Sequence, residues 1–389
     1  MKPLAVTAYT ATSALGRGKA AMLDALRRGK GGLRQNDFDR AELRAWIGRV
    51  AGLEEAPIGG ALADFDCRNN RLAQLGLAQD DFQEMVSRAK NRYGSKRVAV
   101  LLGTSTSGIL QTELAYRRRD AEGNLPPDLH YRHAQNLYSM TDYVRAVLGL
   151  EGPAMTVSTA CSSSAKVFAS AARYVEAGVI DAAVVGGVDS LCLTTMHGFT
   201  SLQLVSDEPC RPFDAARKGM SIGEAAGFAL VERATGPVSL LGYGESSDAY
   251  HMSTPQPEGE GALGAMKQAL ARAGLEPGDI DYVNAHGTAT PANDRAEDRA
   301  LVRLFGKRVP VSSTKGFTGH TLGAAGIVEA IVCFLAIEHG LLPATLNSTA
   351  IEPGLESMVL LENRVAPVRR ALSNSFGFGG SNCSLVFGA

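Results

Sequence analysis

Cys161 stands where an apolar run, Met155-Thr-Val-Ser-Thr-Ala160, meets a helical stretch beginning Ser162-Ser-Ser-Ala165. A thiol there lies at the positive end of a helix dipole, beside backbone N–H groups that have no intrahelical partner. That setting lowers a thiol pKa and favours the nucleophilic thiolate. A lone cysteine in apolar surroundings is more often an inert core residue, and the serines also suit an ordinary helix N-cap. Thr159 to Ser164 is nevertheless too polar for a packing site. Two histidines extend the set. His286, in Asn284-Ala-His-Gly-Thr288-Ala-Thr290, follows one apolar run, and His320, closing Thr314-Lys315-Gly-Phe-Thr-Gly-His320, follows another. Each alone reads as structural. One cysteine and two histidines, each at the C-terminal end of a strand, form a much rarer set, fit for nucleophilic catalysis with imidazole assistance. Lys315 lies five residues before His320. The tail, Asn374-Ser-Phe376-Gly-Phe378-Gly-Gly-Ser-Asn382, adds glycines that let backbone approach a ligand. A simple glycine-rich hairpin is the plain alternative, but aromatics between the glycines favour a segment that gates.

The elements that must position these groups alternate between glycine-bounded apolar runs and alanine-rich helical patterns, which predicts an α/β architecture with covered sheets. Strands are expected at 4–9, 97–103, 154–159, 182–188, 238–243, 280–285, 309–313, 357–361, 370–375 and 382–387. Helices are expected at 19–28, 71–91, 107–118, 136–148, 162–177, 259–273, 293–305 and 321–339. The units around Cys161 and His320 look alike: a strand, a turn of small or polar residues, then a long apolar helix ended by glycine, Gly178 or Gly340. This predicts an internal duplication with halves at 1–236 and 237–389, placing Cys161 and His320 at corresponding strand ends. The alanines of both helices suit elements packed closely between two sheets.

Bulk properties narrow the function classes. The 389 residues carry a formal net charge of −1, 45% hydrophobic and 20% charged residues, as in an ordinary globular enzyme. No excess field exists to hold nucleic acid or a membrane surface. The N-terminal apolar run is too short for a signal segment, so a cytoplasmic location without membrane insertion is expected. The six cysteines (67, 161, 192, 210, 333, 383) lack CxxC spacing, which points away from a zinc ribbon or disulfide framework. His130 and His133 have no third ligand near them in sequence, so no metal site is assigned. There is no P-loop or G-x-G-x-x-G. Gly219-Met-Ser221-Ile-Gly223 fits the serine-hydrolase elbow, but the polar stretch Asp214 to Lys218 replaces the buried strand that motif requires.

Taken together, TACSSS, NAHGTATP, STKGFTGHTLGAAG and NSFGFGGSN, with VTAYTATSALG, VVGGVDS and CRPFDAARKGMSIGEAAG, resemble the β-ketoacyl-[acyl-carrier-protein] synthases of the thiolase superfamily along essentially the whole chain. The resemblance implies a five-layered α-β-α-β-α fold, usually dimeric. It implies Cys161 as acyl-accepting nucleophile, His286 and His320 flanking a malonyl thioester, and Lys315 paired with Glu329. Thr288 and Thr290 would bind a pantetheine arm. Phe378, in the tail motif with Phe376, would gate the site and form an oxyanion hole with the Cys161 N–H. No tightly bound cofactor is implied, since substrates arrive as phosphopantetheine thioesters on an acyl carrier protein. Arg68 and Arg71 fall where the family's basic carrier-docking residues lie, and Arg117-Arg118-Arg119 is a second candidate patch. Asn293 stands where glycine is usual, TACSSS is commoner in polyketide-type synthases, and His130 to Met140 is unusually polar. These departures bring in a polyene or aryl-capped chain and a heterodimer with a chain-length-factor partner. A thiolase would carry a second cysteine in a C-terminal C-x-G motif, and a non-catalytic chain-length factor would lack the nucleophile.

Overall fold

Val98-Ala-Val-Leu-Leu-Gly103 is buried at every position, as expected of a parallel strand covered on both faces. The computed structural model describes residues 1–39 and 41–389. Its main strands are β1 (Leu4–Ser13), β2 (Val98–Gly103), β3 (Ala154–Val157), β4 (Ala182–Asp189), β5 (Ala225–Glu232) and β6 (Val238–Ser247), followed by β7 (Tyr282–Asn284), β8 (Pro310–Ser312), β9 (Met358–Val359), β10 (Arg370–Gly377) and β11 (Ser381–Gly388). The helices are α1 (Gly18–Arg28), α2 (Arg68–Leu77), α3 (Phe82–Tyr93), α4 (Ile109–Tyr116), α5 (Ser139–Leu148), α6 (Ser163–Glu176), α7 (Leu193–Ser201), α8 (Glu260–Ala273), α9 (Pro291–Phe305), α10 (Lys315–Thr318) and α11 (Ala325–His339).

The strands run β9-β8-β7-β10-β11-β6-β1-β5-β4-β2-β3 through one hydrogen-bonded path. Leaving β9 aside, the two halves repeat one plan. In the first, β2 pairs in parallel with β3 and β4, then β5 and β1 follow antiparallel. In the second, β7 pairs in parallel with β8 and β10, then β11 and β6 follow antiparallel. The halves meet where Leu4–Val6 pairs with Val238–Leu240.

The side chains define five layers. Ala99, Leu101, Ala183 and Val185 of one half, and Cys383, Leu385 and Phe387 of the other, share a core with α6 and α11. The opposite face of the first half packs on α2, α3 and α5, and that of the second on α8 and α9. Helix α11 is therefore central. The Leu322–His339 stretch is long and apolar enough to cross a membrane, yet 83% of it is buried inside the protein. Each fully buried Ile, Leu or Phe there contributes roughly 1.5–3 kcal/mol. Its contact with α6 depends on Gly326, where a Cβ would meet the Ala165 N at 2.6 Å.

One expectation needs correction, and some elements lie outside the expected set. The helix expected at 71–91 is two, α2 and α3, parted where Asp80 and Asp81 take φ of 55° and 54°. Strand β5 escaped notice because it is central and buried throughout, and Ala225-Ala-Gly carries little β propensity. Helices α7 and α10 lie outside the expected elements as well, and α10 separates β8 from His320, which is therefore not at the strand's end.

Candidate active site

The chain leaves β3 at Val157 and reaches Cys161 through Ala160, whose φ of 52° is left-handed. A non-glycine residue held there marks local strain that its surroundings must stabilise. The serines do so: the Ser163 hydroxyl donates to the Ala160 carbonyl (2.6 Å) and accepts from the Thr159 N–H (2.9 Å), and the Ser162 hydroxyl donates to the Thr159 carbonyl. The turn leaves the Cys161 sulfur at the start of α6.

Both histidines reach that sulfur from the other half. His320 Nε2 lies 3.0 Å from Cys161 Sγ, and the rings of His286 and His320 stand edge to face with centroids 5.3 Å apart. The environment fixes which nitrogen carries each proton. The Leu322 N–H donates to His320 Nδ1 at 3.3 Å, so the His320 proton sits on Nε2. Lys315 Nζ lies 3.3 Å from His286 Nδ1 and also donates to the His286 carbonyl and to Glu329, which leaves His286 with its proton on Nε2 as well. Burial first, and the Lys315 charge second, lower both imidazoles well below their ordinary range. The site therefore presents two neutral N–H donors beside one sulfur.

The sulfur is not the acidic thiol expected of a helix terminus. Burial pushes Cys161 up to about 12, against the pull of Lys315 and a hydrogen bond from the Phe378 N–H. Desolvation outweighs the favourable donors. The ligand atoms of Cys161, His286 and His320 all fall within 4.8 Å of one another, close enough to invite a metal reading. Both Nδ1 atoms accept hydrogen bonds, however, so both Nε2 atoms carry protons and are donors rather than ligands.

A cavity of ≈ 180 Å³ opens onto these three side chains. Thr288 and Thr290 line it with their hydroxyls 2.8 Å apart, and Asn293 lies beside them. Phe376 packs on the His286 ring at 5.8 Å and Phe378 on Phe199 at 5.6 Å. The Phe378–Gly380 turn, with Gly379 at φ 80°, lines the same cavity and is tied to the loop at 248–252 by the Asp248 and Gly379 N–H groups. All nine residues expected at the chemistry, Cys161, His286, Thr288, Thr290, Lys315, His320, Glu329, Phe376 and Phe378, thus meet in one place.

Residues 1–236 match the family described as Beta-ketoacyl synthase, N-terminal domain, and residues 238–349 match Beta-ketoacyl synthase, C-terminal domain. The chain belongs to the β-ketoacyl synthase family. It is 41% identical over 268 residues to the mitochondrial 3-oxoacyl-[acyl-carrier-protein] synthase of Arabidopsis thaliana, covering 63% of this chain and 58% of that one. It is 44% identical over 259 residues to 3-oxoacyl-[acyl-carrier-protein] synthase 2 of Rhizobium meliloti, covering 61% of each. The matched stretch spans about three-fifths of these relatives' own length. Among solved structures it is similar to the ketosynthase ApeO, in complex with its chain length factor ApeC, from Xenorhabdus doucetiae: TM-score 0.91, 37% identity, 100% of this chain and 98% of that one. The five duplicated layers are the thiolase-like ketosynthase fold.

Arg68, expected at a docking surface, is instead turned into the protein. It is 7% exposed, forks onto the buried Glu224 and also binds Glu54. Arg71 is held by both oxygens of Asp66. Their charges are answered inside the chain. Ser221 is buried, and its hydroxyl accepts from the Cys210 N–H, away from any nucleophilic role. Sequence reasoning missed the acidic face of α9. Glu297 accepts the N–H groups of His286 (2.8 Å) and Gly287 (2.7 Å), while Asp294 accepts those of Ala289 and Phe213. The spacing Asp294…Glu297-Asp298, three and four apart on one helix face, was the available signal.

Proposed function

We propose that this chain is a β-ketoacyl-[acyl-carrier-protein] synthase, an acyltransferase that condenses an acyl group held on Cys161 with a malonyl group. The observation that carries the proposal is the pair of neutral imidazoles, both with Nε2–H directed at the space beside the Cys161 sulfur. In the first half-reaction the sulfur attacks an acyl thioester. The new C–S bond forms, the tetrahedral oxyanion is held by the N–H groups of Cys161 and Phe378, and the carrier thiol leaves with the proton. In the second, the malonyl thioester carbonyl accepts from His286 and His320. Its C–CO2 bond breaks, the electron pair becomes an enolate, and that carbon attacks the acyl carbonyl and releases the Cys161 thiolate. Two uncharged donors suit an enolate, and the step calls for no tightly bound cofactor. The substrates are proposed to be phosphopantetheine thioesters, their arm passing Thr288 and Thr290 as it enters the cavity.

The partners follow from the same reading: an acyl carrier protein, and a second ketosynthase-like chain, either a copy or a chain-length factor. The second is supported by the large apolar side chains left exposed from the end of α4 to the start of α5, Tyr116, Leu125, Tyr131 and Leu137, which suit a protein interface. The ApeO ketosynthase is itself described with a chain length factor. Six free, buried cysteines suit the reducing cytoplasm. A thiolase is disfavoured because Cys383 is sealed within β11. Intact-protein mass spectrometry after incubation with acyl-carrier-protein thioesters tests the proposal. A gain of one acyl mass on the Cys161 peptide is expected, and acylation elsewhere, or none with any acyl thioester, overturns it.

A further inference from the structure

Asp189, the last residue of β4, is fully buried and takes no part in the steps above. Burying a carboxylate is costly unless it is paired or hydrogen-bonded. Among the described residues, uncharged donors meet its oxygens: the hydroxyls of Thr104 (2.6 Å) and Thr106 (2.8 Å), the N–H groups of Ser105 (2.8 Å) and Thr106 (2.9 Å), the Ser105 hydroxyl, and the Gly323 N–H at 2.6 Å. The Gly323 bond leads to the site. Leu322, immediately before it, holds φ 53°, a conformation that bulky side chains rarely adopt and that needs external support. The N–H of this same Leu322 faces His320 Nδ1. A Cβ at Gly323 would lie 2.8 Å from Asp189 Oδ2, close enough to push the carboxylate off the Gly323 N–H.

We propose that Asp189 is a positioning residue for His320: by holding the Gly323 N–H it keeps the left-handed Leu322 turn closed, and that turn keeps the His320 proton on Nε2, facing the sulfur and the substrate carbonyl. The consequence for rate rests on the condensing-enzyme reading, whereas the tautomer does not. Asp189→Asn places an amide N–H2 against one of the donors now satisfied, so the turn loosens. Gly323→Ala loosens the same bond from the other side and leaves the Asp189 charge in place.

The experiment is 15N NMR of histidine-labelled protein, with seven histidines to resolve, alongside the rate of malonyl-carrier decarboxylation and a melting curve. Wild type is expected to show His320 as the Nε2–H tautomer. Both variants are expected to show a mixture of tautomers and to lose about 10- to 100-fold in kcat, as for a displacement of reacting groups by up to an ångström, with KM unchanged. Retention of the wild-type tautomer in either folded variant overturns the proposal. So does a loss confined to Asp189→Asn, which would mark an effect of charge on Cys161 rather than of position. If Asp189→Asn does not fold, Gly323→Ala decides. If wild type decarboxylates nothing, the condensing-enzyme reading fails while the tautomer comparison still stands.

Discussion

Removing the nucleophile while keeping both imidazoles should separate the two halves of the proposed reaction. In Cys161→Ala, His320 loses its sulfur neighbour at 3.0 Å. Its Nδ1 still accepts from Leu322, and His286 is still held by Lys315, so both donors keep facing the cavity. No donor to a malonyl carbonyl is deleted. Malonyl-carrier decarboxylation should therefore persist within about tenfold of the wild-type uncoupled rate, a change of less than ~1.4 kcal/mol in barrier. Condensation should vanish for want of an acyl-enzyme. Deleting a donor instead, as in His286→Ala or His320→Ala, should slow decarboxylation by about 100- to 1,000-fold, or ~2.7–4 kcal/mol. Mass spectrometry of the carrier reads both outcomes, because loss of CO2 from malonyl and gain of a β-ketoacyl chain have distinct masses. If folded Cys161→Ala loses both activities, or His286→Ala decarboxylates like wild type, the assignment of thiol and imidazoles to separate steps is wrong.

Burial that raises the Cys161 thiol to about 12 leaves little thiolate at neutral pH, so alkylation by iodoacetamide should keep rising about tenfold per pH unit from 7 to beyond 9; a plateau below pH 8 would contradict it. Because both imidazoles are lowered well below 6.5, they stay neutral on moderate acidification. Decarboxylation by Cys161→Ala should then hold its rate from pH 8 down to 6, where ordinary histidines would already titrate near 6.5. Arg68→Ala strands the buried Glu224 and should lower stability by about 3–5 kcal/mol, seen as a depressed Tm, without raising the KM for carrier protein measured below that Tm. A raised KM with unchanged Tm would restore the docking role.

The candidate set was legible because its members carry unusual chemistry just beyond strands: a cysteine amid polar residues and two histidines beside glycine, Gly287 and Gly319. The strand-turn-helix likeness around Cys161 and His320 foreshadowed the repeated strand order. Less visible were elements whose character comes from the fold. Strand β5 lacks the two-residue period and opens on Ala225-Ala-Gly, so its central place in the sheet, buried on both faces, identifies it better than its sequence does. Arg68 reads as a surface cation by type, yet Glu224, 156 residues away, draws it inside. The thiol shows the same limit: the helix terminus is local and readable, whereas the burial that outweighs it is not.

The repeat also explains why buried carboxylates recur around the site. Gly103 in β2 and Asn284 in β7 hold matching places, each opposite both parallel neighbours. Two residues beyond them stand Ser105 and His286. In the first half, Asp189 gathers the N–H groups of Ser105 and Thr106; in the second, Glu297 gathers those of His286 and Gly287. Parallel strands ending together expose successive N–H groups with no ladder partner, and a buried anion satisfies two at once. One carboxylate comes from a strand end and the other from α9, so the correspondence follows the donors, not the acids. Both halves thus meet the same backbone requirement. The second uses the stiffened turn to carry an imidazole, and the first ties its turn across to the Gly323 loop, so that each half steadies a histidine of the shared centre.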